Sequence, residues 1–210
     1  MTTNENLGAA LLDVRKAYRL IADYQTSMLN LVNDVASNLD VQYYSAHHRY
    51  TPPRNYNNPP FGLRTGVDYL PLLDVTYLYL NREAYEQGRI NGPQAGDYLI
   101  DFRLVSDSKL LDEEQGREPS PPEKSASLLI TYLFLARESF PQDTNWYHKI
   151  WDNARYPVSD GIWESEGNMP LAVCRIPIQL ERFVDASQPA MAAAEIRNAL
   201  TSGQHLVADH

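Results

Sequence analysis

Leu7, Leu11, Val14, Tyr18, Ile21, Gln25, Met28, Val32, Val35 and Leu39 follow one another at alternating steps of four and three, and only Gln25 among them is polar. No glycine or proline interrupts the run after Gly8. Apolar residues at that spacing lie along one side of an α-helix and need a surface to pack on. Ala10, Ala17, Tyr24 and Leu31 widen the stripe on one flank; past Leu12, the other flank is Arg19, Thr26, Asn33 and Asp40. So wide a stripe suits a sheet or bundle better than a narrow two-stranded coiled coil. About 33 residues at ~1.5 Å each make a rod of ~50 Å. A compact domain of this chain length is roughly 40–45 Å across. The helix therefore spans the whole domain or overhangs it. An overhang calls for a second partner, most simply another copy of the chain; the other reading is a core helix of a monomer.

The 210 residues suit one large domain, and an apolar share of 43% supplies a sizeable core. The net charge of −9 makes general DNA binding unlikely. The single cysteine, Cys174, excludes an intramolecular disulfide and a cysteine-rich zinc site. The first residues lack the basic stretch of a secretory signal, and no apolar run is long enough to span a membrane. A cytoplasmic location without membrane contact is the expectation.

Residues 42–66 read as a loop rich in proline, asparagine, tyrosine and basic side chains, with no acidic residue between Asp40 and Asp68. Four strand candidates follow. Tyr69 to Leu80 and Asp97 to Ser106 alternate apolar and polar residues; Ala126 to Ala136 is apolar on both faces. Leu171 to Phe183 carries Pro177, which predicts an edge position or a bulge. Ser187 as a cap, Pro189 in the first turn and Gly203 as a stop predict a closing helix over 187–202. The expected architecture is a single α+β domain over 1–210. It has a long helix (1–41), the basic aromatic loop (42–66), a four- to five-stranded, mainly antiparallel sheet with insertions (67–183) and the closing helix.

Two regions carry candidate chemistry. Arg49, Arg54 and Arg64 lie among Tyr50, Tyr56 and two histidines, His47 and His48, in an otherwise acidic chain. Guanidinium forks take phosphate or carboxylate, and aromatic rings stack on planar groups. An anionic small ligand or an acidic surface is the fitting target; the plainer reading is a loop with surface ion pairs. His47 and His48 are adjacent and complete no metal-ligand set, so no metal is expected. The second region holds Trp146, Trp151 and Trp163 among charges. His148 and Asp152 stand four apart, a helical spacing for a carboxylate-oriented base, yet no nucleophile sits in a recognisable frame. The alternative is an aromatic lid with a solvated charged side. Asp74 and Asp101 could converge as a carboxylate pair, but Arg103 and Arg175 offer cross-strand ion pairs instead. Cys174 has apolar neighbours and reads as a small buried hydrophobe. Glycine-rich nucleotide-binding motifs are absent, and no cofactor is expected.

The sequence thus points first to a non-catalytic binding or assembly protein. It would self-associate or join a protein partner through the long helix, with Arg49, Arg54, Arg64, Tyr50, Tyr56, Trp146 and Trp151 on its recognition surface. The alternative is an enzyme acting on a phosphorylated or nucleic-acid substrate, with His148, Asp152, Asp74 and Asp101 as candidate catalytic groups. The long helix is compatible with core or interface.

Overall fold

The computed structural model describes residues 3–48, 73–110 and 120–208. Helix α1 (Thr3–Ser37) leads into β1 (Val41–His48). After β2 (Asp74–Asn81) and a short α2 (Arg82–Glu86) come β3 (Tyr98–Val105) and β4 (Leu128–Ala136). A π-helix (Trp146–Trp151), a two-residue β5 (Glu164–Ser165), β6 (Leu171–Gln179) and α3 (Gln188–Ala208) complete the order. The sheet is antiparallel with strand order β1-β2-β3-β4-β6-β5. The α+β architecture is therefore as the sequence predicts, with six strands in place of four or five.

The additional strands are short or fall where the sequence reads as irregular. β1 occupies the start of the segment read as a loop over 42–66, and pairs with β2 from Val41↔Asn81 to His48↔Val75. The remainder of that segment, with Arg49, Tyr50, Arg54, Tyr56 and Arg64, lies outside the described residues.

Pleating sends alternate side chains to opposite sides of the sheet. On one side Val75, Tyr77, Ile100, Phe102, Leu129 and Cys174 form a core with α1 and α3. Leu31, Val32, Val35 and Ala36 bring the C-terminal part of α1 onto it; Ala192, Ala193, Ile196 and Leu200 bring α3. The Cys174 thiol is buried, and burial lifts its pKa to about 11, as a small core residue requires. On the other side Leu78, Leu80, Leu99 and Phe134 pack beneath Trp146, Ile150 and Trp151 of the π-helix.

Two boundary expectations change. Helix α3 does not stop at Gly203 but runs through it to Ala208. A Cβ at position 203 would come within 2.4 Å of the Trp163 ring. The glycine thus serves close packing, and the Trp163 indole N–H donates to the Ala199 carbonyl at 3.1 Å. Pro177 pairs with Ile130 in β6, an interior strand by order, yet β5 meets β6 only at Ala172 and Val173. At Pro177 no β5 residue lies alongside, so the missing N–H breaks no ladder there.

Candidate functional site

Helix α1 divides into two parts. From Leu31 onward its stripe is buried. Through Ile21, Tyr24, Gln25 and Met28 it is half-buried, and the Tyr24 hydroxyl donates to Ser106 Oγ at 2.8 Å. From Leu7 to Leu20 every side chain is exposed. Leu7, Leu11, Val14 and Tyr18 keep 48–70% of their surface, although they sit on the same stripe as Val35 at 0%. Scattered exposed apolar residues are ordinary; here four of them lie in one continuous row.

The sheet side away from the helices carries the second feature. There the strand centres are polar: His47 on β1, Asp74 and Thr76 on β2, Asp101 and Arg103 on β3, Tyr132 on β4. Asp74 and Arg103 form a two-pronged ion pair, Nε–Oδ1 2.8 Å and Nη2–Oδ2 2.5 Å. Burial would lower the Arg103 pKa, but the Asp74 carboxylate outweighs it and holds the guanidinium charged. The carboxylate pair of Asp74 and Asp101 does not form as a unit, since Asp74 is taken by Arg103. Arg175 instead reaches Asp160 at 2.6 Å.

Asp101 is fully buried and makes no salt bridge among the described residues. Its Oδ2 accepts from the Trp151 indole N–H and the Tyr156 hydroxyl, both at 2.9 Å. The Asp101 Oδ1 has no hydrogen-bond partner among the described residues. Burial pushes the carboxyl pKa up to about 6, with the Trp151 and Tyr156 bonds pulling the other way. Tyr156, desolvated and facing that carboxylate, is held far above its ordinary pKa and stays a donor.

Trp151, Tyr156 and Thr76 also line a small cavity of about 160 Å³ together with His47, Asp152 and Ala154. His47 is fixed there by Tyr147, whose hydroxyl lies 3.0 Å from Nδ1, and its ring meets Trp151 edge-on at 5.6 Å. Tyr156 further borders a wider groove of about 470 Å³ with Arg103, Tyr132 and Arg175.

The sequence candidates separate accordingly. His148 and Asp152 are both exposed and make no ion pair with each other among the described residues. The π-helix ends at Trp151, so Asp152 stands past its last residue, and the two side chains line different depressions. The Asn145 side chain caps this helix, its Oδ1 accepting from the backbone N–H groups of Tyr147 and His148. His148 lines a shallow depression with Tyr44 and Asn145, apart from the cavities beside Asp152 and Asp74. Trp146 and Trp151 are buried rather than displayed; only Trp151 reaches a cavity wall.

His47, which the sequence places with His48 in the basic aromatic loop, stands instead on β1. Counting by twos from Val41 would put it on the helix side. A bulge between Tyr43 and Ser45 shifts the phase, so that His47 stands opposite Thr76 on the polar side. Tyr156 and Tyr132 carry no sequence signal that distinguishes them from the other tyrosines.

No group of three or more His, Cys, Asp or Glu able to hold a metal occurs among the described residues. No helix among them is long and apolar enough to cross a membrane. The PM0109 family model matches residues 4–202, and the chain belongs to that family. It is 30% identical over 172 residues to an uncharacterized protein, PM0109, of Pasteurella multocida (strain Pm70), covering 79% of each chain. No solved structure matches it.

Proposed function

We propose that this member of the PM0109 family is a non-catalytic assembly protein that self-associates through the overhanging part of α1. The observation that carries the reading is the row Leu7, Leu11, Val14 and Tyr18, exposed on a helix whose other end is anchored in the core. Its alternating steps of four and three fit a second helix of the same period. Another copy of the chain presents that helix at the same height, as a two-fold interface requires. Ala10 and Ala17 flank the row with small side chains that let a partner helix approach closely. In the sequence, Arg49, Arg54 and Arg64 add three guanidinium groups of the kind that take carboxylates of an acidic partner region.

Light scattering on a sizing column tests this. The expected wild-type mass is at least twice that of the chain. Leu11→Asp with Val14→Asp is expected to give a folded monomer, because both residues are exposed within one chain. A monomeric wild type, or a variant that keeps the wild-type mass, overturns the reading. Arg49→Glu with Arg54→Glu is expected to leave the mass unaltered and to abolish capture of the acidic partner.

A further inference from the structure

We propose that the cavity between His47, Trp151 and Tyr156 is a binding site for a small organic cation, an alkylated ammonium group above all. The proposal is independent of self-association. Its first support is an imbalance of charge. Asp101 lies buried beneath the cavity, held by two of the side chains that line it, Trp151 and Tyr156. The Arg103 guanidinium offsets only part of that charge, because both its prongs are engaged by Asp74. Asp152 adds a second carboxylate at the rim. With Arg175 engaged by Asp160, the described residues of the strip keep an excess of negative charge.

The second support is the unpartnered Asp101 Oδ1. Buried polar atoms are nearly always hydrogen-bonded, and a carboxylate without a counter-ion is costly to bury. An asparagine would fill the same space without that cost. A bound cation above the Trp151 and Tyr156 side chains compensates the charge through one layer of polarisable rings. The third support is the wall itself. Trp and Tyr rings attract cations through their π-faces, and an imidazole with its Nδ1 tied to Tyr147 completes an aromatic enclosure. The volume of about 160 Å³ is below the roughly 300–1,000 Å³ of drug-sized sites, which restricts the occupant to a compact head group.

Tetramethylammonium is the probe, with tert-butanol as a neutral molecule of nearly the same shape. The readout is the NMR resonance of the Trp151 indole N–H, which reports on its bond to Asp101. Wild-type protein is expected to show a saturable shift with tetramethylammonium and a response at least about tenfold weaker with tert-butanol. Asp101→Asn is expected to weaken the cation about tenfold or more. Asp152→Asn, at the exposed rim where folding is not at stake, is expected to weaken it severalfold. An equal response to both probes, an absence of any saturable shift, or unchanged affinity in Asp152→Asn together with a folded Asp101→Asn overturns the proposal.

Discussion

The two sides of this sheet are made by the same strands and meet different requirements. The side under α1 and α3 is apolar at its centre, with Phe102, Leu104, Leu129 and Leu133 all at 0% exposure. The other side carries Asp74, Arg103, Asp101 and Tyr132 at its centre, roofed by a π-helix and the irregular chain that follows it. Helices present apolar stripes that close over a sheet without leaving polar groups to satisfy. Irregular chain brings indole N–H and hydroxyl donors, and these can satisfy a buried carboxylate such as Asp101. The difference locates the buried polar groups on the π-helix side.

The largest expected effect comes from importing the polarity of one side into the other. Val35 has no exposed surface, so Val35→Asp leaves a carboxylate unpaired in the apolar core. Loss of about 5 kcal/mol or more, or no folded protein, is expected in urea titration. Survival with a near-wild-type midpoint would show that the helix-covered side is less dry than its packing implies.

Removing charge from the polar side is the next test. Asp74→Ala leaves Arg103 with its carboxylate partner gone in a mostly buried position. Destabilisation of roughly 2–4 kcal/mol is expected, below that of a fully buried pair because Arg103 keeps some solvent contact. The double variant Asp74→Ala with Arg103→Met recovers part of the loss if the penalty lies in the orphaned guanidinium.

Asp101 sharpens the contrast through pH. Its folded-state pKa, about 6, is above the ordinary 3.8, so the folded protein binds the proton more tightly than the unfolded chain. The group favours folding most below about pH 4, and that contribution fades as pH rises through about 6. Wild type is therefore expected to lose on the order of 2–3 kcal/mol relative to Asp101→Asn between pH 4 and pH 7. Parallel stability curves for the two proteins across that range would contradict this environment for Asp101.

The smallest effect probes how tightly the helix side is fitted. Gly203→Ala pushes a methyl into the Trp163 ring and should cost about 1–3 kcal/mol, read as a lower melting temperature. A neutral or stabilising result, as helix propensity alone favours, would show that Trp163 can move aside.

Much of this was legible in the chain itself. Long-range periodicity placed α1 because its stripe recurs without a break, alternation placed β2 and β3, and a short run apolar on both faces placed β4. The Asp74–Arg103 pairing was accessible for the same reason, once two strands were expected to be neighbours. Local pattern failed where a tertiary contact overrode it. Gly203 reads as a stop, and only the Trp163 ring gives it another purpose. His148 and Asp152 read as a helical pair, but the helix ends at Trp151 and they line different depressions. β1 was hidden within a polar, aromatic sequence whose strand character depends on β2 lying alongside.

The sequence by itself determined that a long amphipathic helix must cover an antiparallel sheet, because spacing fixes which side chains share a side of an element. Only the tertiary structure decided how much of that helix finds cover: the sheet is shorter than the stripe, so the row from Leu7 to Tyr18 is left outside the core. It also decided the surroundings of Asp101. A bulge turns His47 to the polar side, and the chain after β4 folds back to set Trp151 and Tyr156 on one carboxylate oxygen. No local spacing encodes a meeting of residues about fifty positions apart, since their approach is set by the packing of every element between them.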